Sequence, residues 1–211
     1  AFSPQGDLLA SAGGEGTLRL WEPPGGKLRA TLAGFKSPSV SLAFSSAGRS
    51  LAICGHGPTV RVYDLEGLGS PRQLQIPLDR DQNLSSLAIS PDGRLLALGT
   101  LGTDFTGQVL LLDVASGDVA QRVDHSAGGI SSLAFSPDGL LLAATEPTFI
   151  SVWDVPTLHL RRQIKQNAIP QQAVFAPDGA SLVSAGHDYC LRLWDVATGD
   201  ERAVLRGHQG A

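Results

Sequence analysis

Phe135-Ser136-Pro137-Asp138-Gly139 is nearly duplicated by Ile89-Ser90-Pro91-Asp92-Gly93 and Phe175-Ala176-Pro177-Asp178-Gly179. Phe2-Ser3-Pro4-Gln5-Gly6 and Phe44-Ser45-Ser46-Ala47-Gly48 are weaker copies. The five copies begin at residues 2, 44, 89, 135 and 175, so successive copies lie 40 to 46 residues apart. A second motif follows each after 18 to 23 residues: Leu20-Trp21-Glu22, Val62-Tyr63-Asp64, Leu111-Leu112-Asp113, Val152-Trp153-Asp154 and Leu193-Trp194-Asp195. Five ordered pairs at one period identify a repeat architecture.

Each repeat reads as β structure. Leu84 to Ile89 and Ile130 to Phe135 are short, apolar and bounded by turn residues. Pro-Asp-Gly makes a tight turn, because Pro fixes φ, Asp bonds nearby backbone and Gly accepts φ > 0. Further short strands follow at Leu95 to Leu98, Leu140 to Ala144 or Ser181 to Ser184. Leu191 to Trp194 and Ala203 to Leu205 supply two more in the last repeat. No stretch keeps a helical apolar period for three turns. The expected fold is all-β: a propeller of four-stranded antiparallel blades, about five of them, in approximate repeats 1–36, 37–80, 81–124, 125–166 and 167–211.

The Trp-Asp pairs at 153–154 and 194–195, the Ser-Pro-Asp-Gly turns and Leu205-Arg206-Gly207-His208 together resemble the WD-repeat family over essentially the whole chain. The resemblance implies rings that often have seven blades. It also implies a hydrogen-bonded set in each blade, made of a His, a Ser or Thr, a turn Asp and the Trp. Carried over, blade five has Ser184, Asp188 and Trp194, with Gln166-Asn167 at the Gly-His position. Blade one has Ser11, Trp21 and Glu15, and its His would be His208 if the ring closes. Blade four has His125, Thr145 and Trp153, with Pro147 at the Asp position. No blade holds the full set. Ala1-Phe2 and Gly207 to Ala211 read as two sides of a cut within one repeat. The chain is therefore expected to be part of a larger ring rather than a closed ring of five.

Composition narrows function. Sixteen Lys and Arg against 20 Asp and Glu give a net charge of −4 with no basic stripe, so a nucleic-acid surface is not expected. Apolar runs fall far short of the ~20 residues of a membrane helix, so no membrane partner is expected. Cys54 and Cys190 read as buried reduced thiols, and no cofactor or metal is expected. The 25 Gly and 13 Pro fit a turn-rich chain. Arg-rich, Lys-poor usage and the near-identical turns suggest a bacterial, cytoplasmic protein.

Every repeated residue has a folding role, which leaves the variable loops for specificity. The third repeat has the longest spacing, with its extra residues between Gly99 and Gly107. That loop offers Leu101, Asp104 and Phe105 as protein contacts. His56, Glu146 and His187 are further candidates in equivalent turns, as are Arg80, Gln82, Asn83 and Gln171 before innermost strands. The expected function is a noncatalytic scaffold for protein or peptide partners, as one part of a larger signalling or regulatory protein whose attached domains lie outside this segment. The alternative is a propeller hydrolase or lactonase working through Asp79, Asp81, Asp124 and His125 at the central funnel.

Overall fold

A computed structural model describes residues 1–14, 16–32, 39–79, 81–104, 106–125 and 128–208, and the side chains of Ser39, Val40 and His125 are not described. The expected residues Glu15, Arg80 and Phe105 lie outside the described set.

Among the described residues, nineteen strands form five antiparallel sheets. Blade one holds β1 (Leu9–Ala12), β2 (Leu18–Glu22) and β3 (Lys27–Leu32), and a bridge from Phe2 to Leu9 stands where a further inner strand would lie. Blade two holds β4 (Ser39–Phe44), β5 (Ser50–Gly55), β6 (Thr59–Asp64) and β7 (Arg72–Gln75). Blade three holds β8 (Gln82–Ile89), β9 (Leu95–Gly102), β10 (Gly107–Asp113) and β11 (Val119–His125). Blade four holds β12 (Ser132–Phe135), β13 (Leu141–Thr145), β14 (Phe149–Asp154) and β15 (His159–Lys165). Blade five holds β16 (Pro170–Phe175), β17 (Ser181–Gly186), β18 (Leu191–Asp195) and β19 (Glu201–Leu205). The order within each sheet follows the chain, a meander made possible by tight turns.

The Pro-Asp-Gly turns close the first hairpin of blades three to five. Ser136 Oγ donates to Asp138 Oδ1 at 2.5 Å, Asp138 accepts the Leu140 N–H at 3.0 Å, and Gly139 takes φ 75°. Ser90, Asp92 and Gly93 repeat this arrangement. The Ser136 hydroxyl and the Leu140 amide hold the Asp138 carboxyl below the usual range, and Ser90 and Arg94 do the same for Asp92.

Burial is organised by seams between successive blades. Leu18, Leu20, Leu51 and Tyr63 join blades one and two. Ala52, Val60, Leu96 and Leu110 join two and three. Ala97, Leu111, Leu142 and Trp153 join three and four. Ile150, Val152, Leu182 and Trp194 join four and five. Strand alternation explains the pattern, since one face of each blade looks backward and the other forward. Among the described residues, no core cluster joins blade five to blade one. On blade five, Val174, Val183, Leu191 and Leu193 occupy the forward face by register and lie outside every such cluster.

The inner strands β4, β8, β12 and β16 are stitched by serines. The Leu87 N–H donates to Ser41 Oγ at 3.3 Å, Ser85 Oγ donates to the Ile130 carbonyl at 2.5 Å, and Ser131 Oγ donates to the Pro170 carbonyl at 3.3 Å. The approach is close at Gly99, where a Cβ would lie 2.7 Å from Ile130 of the next blade.

Candidate interaction surface

Backbone hydrogen bonds define two rims. On one, the turn after the third strand meets the turn after the first: Leu65 N to Arg49 O, Val114 N to Arg94 O, Val155 N to Leu140 O and Val196 N to Ala180 O, all 2.8 to 3.0 Å. This rim carries the near-identical Asp-Gly turns. On the other, the turn after the second strand meets a link between blades, the one leaving its blade for Ile76 N to Pro58 O at 2.7 Å and Gln166 N to Thr148 O at 3.3 Å, and the one entering it for Thr103 N to Asp81 O at 3.2 Å and His187 N to Ile169 O at 3.1 Å. Sequence differs from blade to blade here, on a scaffold fixed from below.

The variable rim carries a recess of ≈ 490 Å³ at the seam of blades two and three, lined by His56, Asn83, Leu84, Leu101, Gly102 and Thr103. The residues between Gly99 and Gly107 are less of a loop than the sequence suggests. β9 runs to Gly102 and β10 starts at Gly107, because Leu101 pairs with Asn83 and Gly102 with Gln82. The extra length is a taller hairpin, which lifts Leu101 to the rim with 43% exposure. Asp81 supports the rim from the left-handed region, φ 67°, which aspartate tolerates better than most residues.

Other candidates fall elsewhere. Asp104 Oδ1 accepts from the Thr106 N–H at 3.1 Å and the Thr106 hydroxyl at 2.7 Å, closing its own turn, and these two donors hold its carboxyl below the usual range. Gln171 bonds His187 through its side chain, within blade five. Glu146 is a correction: it is 4% exposed, with its N–H donating to the Phe149 carbonyl at 2.9 Å, because the short 146–148 turn folds it inward. It is not an accessible contact.

The tryptophan sets differ by blade. In blade five the Trp194 indole donates to Ser184 Oγ at 2.8 Å, and Ser184 donates to Gln166 Oε1 at 2.7 Å, so Gln166 occupies the end of the chain of bonds. Asp188 instead forms an ion pair with Arg192, which also lies 3.2 Å from Glu201. In blade one Trp21 donates to Ser11 Oγ at 2.8 Å near solvent. In blade four Thr145 Oγ1 lies 2.6 Å from Ser131 Oγ, while Trp153 is 1% exposed in the core. His125 ends β11 in blade three, and His208 is exposed beyond β19.

Sequence reasoning missed Gln108. Its Nε2 donates to Asp79 Oδ2 at 2.6 Å and Asp124 Oδ1 at 2.9 Å. A signal was present, since Gln108 shares its strand face with Leu110 and Leu112, both fully buried. Asp79 and Asp124, weighed as catalytic carboxylates, thus converge on an amide. Among the described residues, no group of three or more His, Cys, Asp or Glu is arranged to hold a metal. Cys54 and Cys190 are free and buried, and burial pushes the Cys54 thiol up to about 12.

Blades of this build, seamed face to face around stitched inner strands, define a β-propeller repeat protein. The profile of the WD domain, G-beta repeat, matches residues 1–22, 26–64, 118–154 and 166–195, and the chain belongs to that family. The unmatched residues 65–117 include the tall hairpin of blade three. Among similar proteins, the Periodic tryptophan protein 2 homolog of Schizosaccharomyces pombe is 27% identical over 207 residues, covering 94% of this chain and 20% of the relative. The Nuclear distribution protein PAC1 of Arthroderma otae is 22% identical over 213 residues, covering 99% and 38%. The Angio-associated migratory cell protein of Canis lupus familiaris is 25% identical over 224 residues, covering 98% and 50%. The chain thus spans half or less of each of these relatives. They are eukaryotic, as is a further relative from Arabidopsis thaliana, and this corrects the bacterial source suggested by composition. Arg-for-Lys usage and regular turns are not confined to bacteria. No helix among the described residues is long and apolar enough to cross a membrane.

Proposed function

We propose that this chain is a noncatalytic protein-interaction scaffold that holds protein or peptide partners on its variable rim, as one part of a larger regulatory protein in the cytoplasm. The observation that carries the reading is the apolar recess of His56, Leu84 and Leu101, raised on a hairpin longer than those of the neighbouring blades. Concave apolar sites with a few polar groups at the edge are where proteins take up partner side chains. The free buried cysteines suit a reducing compartment. A hydrolase reading has less support, because Asp79 and Asp124 are tied to the Gln108 amide. The test is affinity capture from eukaryotic cell extract with the chain and its Leu101→Arg variant, compared by quantitative mass spectrometry. Proteins enriched by the parent chain and lost with the variant are expected. Identical capture by both would overturn the assignment of this rim.

A further inference from the structure

The seam of blades two and three also says what kind of partner it suits. Both Nε2 hydrogens of Gln108 are used on Asp79 and Asp124, and its Oε1 is buried with no hydrogen-bond partner. Gln108 is 5% exposed. Gln82 Oε1, at the start of β8, is likewise buried without a partner. This group adjoins the recess through the backbone: the Gln108 N–H donates to Thr100 Oγ1 at 2.8 Å, and Thr100 is the register partner of Leu84, which lines the recess. Asp104 stands at the other edge, beside Gly102.

The corner is therefore rich in acceptors and short of donors. Asp79, Asp81, Asp104 and Asp124 bring four carboxylates here, and Arg122 is the cation described beside them. Arg122 is already occupied, with NH1 3.7 Å from Asp79 and NH2 donating to the Pro77 carbonyl at 2.7 Å. No described cation lies in ion-pair range of Asp124. An unmet buried carbonyl beside carboxylates is satisfied by a charged donor, which offsets the desolvation of both.

Resting on the scaffold reading above, we propose that this seam docks a basic peptide segment of a partner protein. A bulky aliphatic or aromatic side chain enters the recess against Leu84 and Leu101. A neighbouring Lys or Arg reaches the Asp79–Gln108–Asp124 group. Nucleic acid and anionic lipid surfaces are repelled by the same carboxylates.

The experiment pans a phage-displayed random peptide library on the 211-residue chain and titrates enriched peptides by fluorescence anisotropy. Enriched sequences are expected to place Lys or Arg within a few residues of a bulky apolar one. Their Kd should weaken about three- to tenfold between roughly 50 and 300 mM salt, as charge pairing is screened. Asp124→Lys should weaken binding about tenfold or more, while Asp118→Lys, on the opposite rim, should leave it unchanged. Asp124→Asn, with a thermal melt matching the parent chain, serves if the charge reversal unfolds the protein, and a several-fold loss is then expected. Enriched peptides without basic residues, or indifferent to Asp124, overturn this inference and leave the scaffold reading standing. Enrichment no greater on the parent chain than on Leu101→Arg overturns both.

Discussion

Blade one and blade five make the same bond in different surroundings. Trp21 donates to Ser11 and Trp194 to Ser184, each at 2.8 Å. Trp194 is 5% exposed, with Val152 and Ile150 of blade four packed in the same core cluster. Trp21 occupies the equivalent backward face of blade one, where no described blade precedes it, and Ser11 is exposed. The bond is local and follows from sequence. Its worth is not local, because an unmade hydrogen bond is costly only where water cannot replace it.

The largest effect should come from the residue before each tryptophan, which looks forward. Val152 is fully buried against blade five, whereas Leu193 occupies the same position on blade five, partly buried and outside every core cluster among the described residues. Val152→Lys buries an unpaired charge and is expected to cost about 4 kcal/mol or more, enough to unfold the chain, while Leu193→Lys costs under about 1 kcal/mol. Equal costs in urea unfolding would mean that the forward face of blade five is covered in solution. Next, Trp194→Ala should cost about 3–5 kcal/mol and Trp21→Ala about 1 kcal/mol, since only the first leaves a cavity in a closed seam. Ser184→Ala strands the Trp194 indole and Gln166 and should cost about 1–3 kcal/mol, against less than about 0.5 kcal/mol for Ser11→Ala.

Much of this was legible in residues that act over short distances. The Ser-Pro-Asp-Gly turns and the Trp-Asp strand ends announce the blade, because their geometry is completed within one hairpin. The role of Gln166 was not legible: the resemblance set a glycine at its site and the histidine at Asn167, and only the fold brings the Gln166 amide to Ser184, 18 residues away. Asp79, Gln108 and Asp124 come from three separate strands or links, and only the pairing of β10 with β11 and the link before β8 collect them. Glu146 misled for the opposite reason: a charged residue in a short turn reads as surface, yet its turn is pulled inward.

The smallest expected effect is on pH dependence. Serine hydroxyls and amide donors depress the Asp92 and Asp138 carboxyls in blades three and four, and blades one and two have Gln5 and Ala47 at that position. Stabilisation by a depressed carboxyl is fully present above its unfolded value, about 3.9, and is lost as pH falls through the folded one. The double variant Asp92→Asn, Asp138→Asn should therefore show a shallower loss of stability below about pH 4 than the parent chain, read as the slope of the urea midpoint against pH. An unchanged slope would assign the acid sensitivity to other carboxylates.

Because each seam is built only from adjoining blades, the molecule is energetically a short one-dimensional lattice. Blades two, three and four are each held by two described seams, so amide protons in β9 and β10, with a seam on either face, are expected to exchange slowly. The recess of blades two and three sits beside these doubly held strands, and a partner docking there meets a surface of lasting shape.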